Sequence, residues 1–365
     1  SDTVARLGGD EFVILCEDID GEVDAMTIAG RVRAAIEDEP ITIQGIDMTI
    51  SASVGIAMSN SGSTHDPQTL LQRADTAMYR AKNSGRARTE LFDDVLRSRN
   101  RRRLEMTEQL GDAIDAESLE LHYQPIVDLH SGRVAGLEAF IRWPHPTEGM
   151  LRPGDFLPLA IETGLVQRLD AFVIRRACRV AKRWLEAATG RAPMVHMNID
   201  GQSLLDPQLP ETLEREIAAN ALPPAQICVE LSEPFLMKNG ELLSQRLTQL
   251  CEIGVAVAID DVGTGATVLP RLGEYDLSVL KIDPTLTAEL VDSEDARQLV
   301  RGVAALGRAL GLRIGAESVE HEDAVPFLRS VGVEEAQGHV FSAALPADKD
   351  EPLLHLRSTL ARADR

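Results

Sequence analysis

Residues 255–283 read VAVAIDDVGTGATVLPRLGEYDLSVLKID. Two short apolar runs, VAVAID and LSVLKID, each reach charged residues at their C-terminal ends, Asp260 with Asp261 in the first and Lys281 in the second. Continuous apolar runs of this length read as strands covered on both faces, as in a parallel sheet. The pattern recurs in LELHYQPIVD (119–128), RVAGLEAFIRW (133–143), PMVHMNI (193–199), QICVEL (226–231), LRIGAE (312–317) and EEAQGHVF (334–341). Longer amphipathic helical segments alternate with these runs, which argues for βα units. Eight runs in roughly 230 residues match the requirement of a closed α/β barrel of the (β/α)8, TIM-like kind. The first two are joined only by the turn LHSG, so they are expected to be antiparallel, making the barrel irregular at its opening.

Residues 1–94 form a different, mixed α/β zone, with the run FVIL (12–15), a helical stretch at 24–37, the alternating run SASVGIAM (51–58) and a helix LLQRADTAMYRAKNSG that Gly85 stops. Residues 95–118, including LRSRNRRRLEMTEQLGDAI, are expected to form a charged helical connector. The barrel is assigned to 119–350, and 351–365 to a C-terminal tail or helix. A formal net charge of −21 argues against a nucleic-acid partner, because sequence-independent binding to phosphate backbones is supplied by clustered Lys and Arg. The Arg-rich run 97–103 is followed at once by Glu105 and Glu108 and reads as a solvated helix face. No apolar run approaches the roughly 20 residues of a membrane span, and SDTVARLGGDEF lacks the pattern of a signal peptide, so a cytoplasmic location is expected. The four cysteines, Cys16, Cys178, Cys228 and Cys251, lie scattered without metal-type spacing and read as reduced.

The polar residues at the C-terminal ends of the runs carry the chemistry. They are Glu138, Asn198, Glu230, Asp260 with Asp261, Lys281 and Glu317. In a barrel these ends converge on the face where active sites are assembled. Carboxylates a few ångströms apart raise one another's pKa unless a positive charge compensates. Oxygen-only donors favour Mg2+ or Mn2+, and adjacent aspartates suit two ions about 4 Å apart, the spacing that clamps an in-line phosphoryl displacement. Lys281 adds a positive charge that assists the attacking water or the developing phosphate charge. A single strand-end carboxylate is more often a helix cap, and only the joint occurrence of several on consecutive strands points to a metal site. Arg142 reads either as a bidentate phosphate contact or as a surface ion pair. Gln124 reads either as a substrate contact or as an amide satisfying backbone groups. His145, His196 and His339 have no second histidine at ligand spacing and read as packing or rim residues.

The strings LHYQPIVD, LEAFIRWPHPTEG, MNIDGQSL, VELSEP, IDDVGTG, LKID, GAESVE and AQGHVFSAALP, in this order, resemble the motif set of the EAL-domain cyclic di-GMP phosphodiesterases. The resemblance implies hydrolysis of cyclic di-GMP to linear pGpG by two-metal-assisted water attack, and a homodimer through the barrel. It implies one metal at Glu138, Asn198, Glu230 and Asp260, a second at Asp260, Asp261 and Glu317, and water activation by Lys281. Gln337 matches a site-ordering glutamine and Glu320 the second glutamate of an AEGVE-like string. Glu233 matches the anchor of the loop after the paired aspartates, and Gln124 and Arg142 match substrate contacts. Departures are Phe140 for the leucine of EAL, Val262 for a phenylalanine, Ala266, Thr267 and Val268 in the loop that follows, Ser318 for a glycine, and His339 for a tyrosine. They bear on the rate and its regulation, since no charged position is lost.

The string RLGGDEFVIL, with Gly8, Gly9, Asp10, Glu11 and Phe12, resembles the signature hairpin of GGDEF diguanylate cyclases, and SASVGIA, ADTAMYRAKNSGR and Lys82 match later elements. The sequence begins shortly before that hairpin, so the family's first-strand metal site and guanine-binding groups are not within it. Cyclase activity is therefore not expected from these residues. Asp2 stands where an RxxD inhibitory site would end. Two alternatives follow: a catalytically weak cyclic di-GMP receptor, in keeping with the altered loop, and a bifunctional parent whose intact GGDEF domain binds GTP.

Overall fold

The computed structural model describes residues 2–37, 41–43, 46–48, 50–59, 66–83, 85–92, 94–188, 192–236, 240–263 and 272–347. The 351–365 segment, and Ala266, Thr267 and Val268 with it, lie outside the described residues. The chain divides into two compact units, Ser1–Leu104 and Glu105–Arg365.

In the first unit, β1 (Thr3–Gly8) and β2 (Glu11–Leu15) form an antiparallel hairpin with Gly8 opposite Glu11. A second antiparallel pair joins β3 (Ile41–Ile43) to β4 (Ile46–Met48), and β5 (Val54–Ile56) runs parallel to β6 (Thr89–Leu91). Helices Glu22–Glu37 and Pro67–Asn83 accompany them. The charged stretch of the proposed connector is helical over Asp94–Asp115, and the division between the units falls within it.

The second unit is a closed barrel. Its strands are β7 (Glu120–Asp128), β8 (Val134–His145), β10 (Met194–Asn198), β11 (Ile227–Ser232), β12 (Ala256–Val262), β13 (Val279–Ile282), β14 (Arg313–Ala316) and β15 (Glu335–Ala336), with β9 (Gly149–Leu151) and β16 (Leu345–Pro346) added at the margins. The pairing runs β7-β15-β14-β13-β12-β11-β10-β8 and closes through β7 with β8. From β8 through β15 the neighbours are parallel, whereas β7 is antiparallel to both β8 and β15. The short turn after β7 fixes this reversal, since a parallel return needs a crossover of a dozen residues or more.

The sheet separates two apolar regions. Outside it, helix Val166–Ala187 buries Leu169, Phe172, Val173, Ala177, Val180, Ala181 and Trp184, a stripe at helical spacing. Trp184 meets the Tyr123 ring of β7 edge-on at 4.8 Å. Inside, Met194, Cys228, Ala258 and Val279 form a separate small cluster. These residues alternate along their strands with outward ones, so the next inward position of each carries the barrel's contents one layer higher.

One strand differs from its sequence reading. The run 334–341 is extended only over Glu335–Ala336, after which Gln337 bonds back through Gln337 N to Ala316 O at 2.8 Å and receives Val319 N at 2.9 Å. At Gly338 the backbone passes so close to the 314–319 segment that a Cβ would lie 2.2 Å from Val319 O. The chain leaves the sheet here to cross the end of β14. The cysteines carry no disulfides, and Cys178 and Cys228 are buried.

Phe172 is fully buried in the outer core. Phe172→Ala should cost about 3–5 kcal/mol of unfolding free energy by chemical denaturation, the usual range for emptying a buried aromatic site.

Candidate active site

The inward positions above the apolar layer are polar. Register places Asn198 beside Glu230 and Glu138 beside His196, and sets Gln124 of β7 opposite Glu138. Lys281 projects from β13 into their midst. Its Nζ lies 2.9 Å from Glu138 Oε2, 2.7 Å from Glu230 Oε2 and 3.9 Å from Asp260 Oδ1, and also contacts Glu317 Oε1. Asn198 Nδ2 donates to the other Glu138 oxygen at 2.6 Å, and His196 Nδ1 lies 2.7 Å from the other Glu230 oxygen.

The paired aspartates depend on a local irregularity. Between Ile259 and Val262 the β12–β13 register shifts, and Asp261 adopts φ +59°. This left-handed conformation costs an ordinary residue about 1–2 kcal/mol, and aspartate tolerates it better than most. Without the bulge, adjacent side chains on a strand would point to opposite faces. Here Asp261 N donates to Asp260 Oδ1 at 2.9 Å, and both carboxylates share a group with Glu317. Ser318, at φ +48°, occupies the same strained region directly after Glu317. The carbonyl of Glu317 is held by Thr287 Oγ1.

Two sets of carboxylates each bring one oxygen per residue within 4.8 Å of one another: Glu138, Glu230 and Glu317, and Asp260, Asp261 and Glu317. Four of these five acids thus face one ammonium, and the fifth, Asp261, stands beside Asp260 and Glu317. Burial works against the Lys281 charge, but Glu138, Glu230, Glu317 and Asp260 outweigh it and push its pKa well above the usual lysine range. Burial likewise raises Glu138, but the Lys281 charge and hydrogen bond reverse this and leave it below the usual carboxylate range. Glu230 is pushed well up by burial and by Glu138, and Glu317 by burial and its acidic neighbours. Asp260 is raised chiefly by burial, and Asp261 is pushed up to about 6 by burial and by Asp260. Fully ionised, the set would carry more negative charge than Lys281 neutralises, and the raised carboxyl pKa values record that shortage of positive charge, which hard divalent cations would make up.

Around this centre, Gln337 Nε2 donates to Gln124 Oε1 at 2.9 Å, and Gln124 Nε2 to Ser342 O at 2.9 Å. Glu233 Oε2 accepts from Gly263 N at 3.2 Å, at the start of the loop after the aspartates. Val262 is buried. Arg142 is four residues beyond Glu138 on the same face of β8, about 13 Å along the strand. Its guanidinium donates to Ile141 O and lies 5.7 Å from the Phe140 ring centroid. Glu320 stands apart from the buried cluster, on the exposed rim, with His339 Nδ1 3.9 Å away. His145 is buried and bonds Gln109 Oε1 at 2.8 Å.

Two further strand-end acids are helix caps. Asp200 accepts from Gln202 N at 2.8 Å and Asp283 from Thr285 N at 2.7 Å. Sequence reasoning missed Asp170, which lies inside helix Val166–Ala187 and accepts from Asp200 N at 3.1 Å, two residues after Asn198. The signal available was an acid at a position where the apolar stripe of that helix calls for a hydrophobe.

In the first unit, the hairpin turn holds Gly9 at φ +54°, and Arg6 Nη2 donates to Gly9 O at 2.6 Å. Asp10, Glu11 and Phe12 are exposed, and Lys82 lies on helix Pro67–Asn83. Among the described residues, neither acid joins a group of three potential metal ligands.

Residues 107–344 match the family model described as EAL domain, and residues 1–88 match that described as Diguanylate cyclase, GGDEF domain. The chain belongs to the EAL-domain family. Its N-terminal part carries the GGDEF match. The bifunctional diguanylate cyclase/cyclic di-GMP phosphodiesterase MucR of Pseudomonas aeruginosa is 36% identical over 349 residues, covering 95% of this chain and 50% of MucR. Cyclic di-GMP phosphodiesterase NbdA of the same organism is 35% identical, covering 95% of this chain and 44% of NbdA. The chain thus spans about half the length of these curated relatives. Among solved structures, the PaMucR phosphodiesterase in complex with c-di-GMP superposes with a TM-score of 0.64 at 33% identity, covering 67% of this chain and 99% of that one. The EAL domain of Mycobacterium smegmatis DcpA gives 0.57 at 32% identity, covering 66% and 99%. Among the described residues no helix is long and apolar enough to cross a membrane.

Asp170 supplies a test of the site's support. Burial raises its pKa to about 7. The unfolded chain ionises this group near pH 4, so the folded state becomes progressively disfavoured as pH rises from there through about 7. Asp170→Asn removes that cost, and its unfolding free energy relative to the parent should rise by roughly 2 kcal/mol between pH 5 and pH 8. Denaturant titrations at the two pH values measure it.

Proposed function

We propose that the barrel hydrolyses cyclic di-GMP to linear pGpG with two divalent cations, Mg2+ or Mn2+. The observation that carries the reading is the pair of overlapping carboxylate groups meeting at Glu317, beside a buried lysine. Glu138, Asn198, Glu230 and Asp260 are assigned to one ion, and Asp260, Asp261 and Glu317 to the other. When bound, such a pair lowers the pKa of water and neutralises phosphate charge along an in-line displacement.

The chain's own residues divide the remaining work. Lys281 stands at the centre of the acids, where a fixed ammonium stabilises charge developing on a phosphate oxygen without reorganising. Gln124 and Gln337 lock one another, giving the nucleotide a preset amide surface. Arg142, further along β8, is in place to hold a second phosphate or a base edge. Glu233 ties down the loop that begins at Gly263. Glu320 at the rim is assigned a supporting role in proton movement to and from the centre. The water oxygen bonds to phosphorus, the P–O3′ bond breaks, and the leaving 3′ oxygen takes up a proton.

The similarity of the whole segment to MucR and NbdA, both named for cyclic di-GMP phosphodiesterase activity, supports the substrate. We further propose a place in bacterial second-messenger signalling in the cytoplasm, as a homodimer through the barrel. GTP is assigned to a GGDEF domain only in a longer parent protein. Binding without turnover, the receptor reading, is favoured only by Val262 and the substitutions after it.

Purified protein incubated with cyclic di-GMP and Mg2+ or Mn2+ should yield pGpG by chromatography, and EDTA should stop it. Lys281→Ala should lower kcat by about 100- to 1,000-fold, the usual loss for one preorganised electrostatic group, with nucleotide binding retained. Glu138→Ala should lose metal binding and turnover together. Nucleotide binding with no pGpG under either metal would establish the receptor instead.

A further inference from the structure

We propose that His196 is a positioning residue of the cation site, donating its Nδ1–H to Glu230 Oε1 and so fixing the rotation of that carboxylate with Oε2 toward the cations. The assignment rests on the metal-dependent hydrolase reading above. Nδ1 lies 2.7 Å from Oε1, and both side chains are almost completely buried, at 2% and 0% exposure. The ring is pinned from its other edge. A Cβ on Gly136 of the neighbouring strand would stand 3.0 Å from His196 Nε2 and 3.1 Å from Cδ2, so the ring occupies room that only glycine leaves. Beneath it lies the apolar layer of Met194, Cys228, Ala258 and Val279.

The ring has no freedom to act as a ligand, because the nitrogen facing the site is already engaged by the carboxylate. What it supplies is a donor. A buried carboxylate oxygen left without one is destabilised, and the carboxylate would then rotate toward other donors. Lys281 Nζ is the nearest, already 2.7 Å from Oε2. Hydrogen-bond partners of metal ligands typically contribute 10- to 100-fold in metal affinity. A packing role predicts something else, since any side chain of similar volume would then serve.

The full chain separates the two. His196→Leu keeps apolar volume and removes the donor, whereas His196→Asn returns an N–H close to the Nδ1 position at smaller volume. Titration calorimetry with Mn2+ should show His196→Leu binding about 10- to 100-fold more weakly and His196→Asn recovering most of the loss. Wild-type affinity in His196→Leu, or affinity in His196→Asn as low as in His196→Leu, overturns the assignment. If His196→Leu does not fold, 15N NMR of the Mg2+-loaded wild type decides: the Nδ1–H tautomer with a slowly exchanging proton is expected, and the Nε2–H tautomer contradicts it. Wild-type protein that binds no Mn2+ overturns the hydrolase reading and this one together, an outcome distinct from wild-type binding that the variants leave unchanged.

Discussion

Four carboxylates around one buried ammonium, with a fifth beside them, set the terms for the rest of the barrel. Lys281 touches Glu138, Glu230 and Glu317 and lies 3.9 Å from Asp260, so strands β8, β11, β12 and β13 and the end of β14 are tied to a single positive charge. Burial raises the energy of every one of these charges, and the single lysine offsets only part of the repulsion among the acids. Such a centre is stable only if its surroundings hold the acids in place and a further positive charge is available. The hydrogen bonds from Asn198, His196 and the Asp261 amide meet the first requirement, and divalent cations would meet the second.

The barrel delivers this arrangement through register. Inward positions alternate along each strand, so one apolar layer at Met194, Cys228, Ala258 and Val279 supports one polar layer above it. Below, Arg313 pairs with Glu335 at 2.9 Å and closes the interior with a balanced charge pair rather than an acidic excess. The irregularities lie where chemistry needs them. A bulge turns Asp261 toward Asp260, and left-handed backbone at Ser318 redirects the chain after Glu317. A glycine at that position would avoid the strain, which gives the usual family residue a physical reason.

The parallel strands, the antiparallel opening and the convergence of Glu138, Glu230, Asp260, Lys281 and Glu317 were legible because continuous apolar runs, short turns and strand-end polarity are local properties of sequence. Four things were not legible. Asp200 and Asp283 have the same strand-end position as the clustered acids, yet they cap helices, a difference fixed by backbone direction rather than residue type. His196 showed no metal-type spacing, and its value lies in a hydrogen bond across strands, 34 residues away. The run 334–341 read as a full strand, because the close approach of Gly338 to Val319 is a tertiary event that no local pattern records. Glu320 shares a motif with Glu317, yet it stands on the rim, since the turn through Ser318 separates their directions.

We propose that this cluster of acids is a two-cation site. Anomalous diffraction from crystals soaked in Mn2+ measures this directly. Two peaks about 4 Å apart are predicted, one bounded by Glu138, Asn198, Glu230 and Asp260, the other by Asp260, Asp261 and Glu317. Crystals that show no peak among these residues, with Lys281 still paired to Glu138 and Glu230, would contradict it.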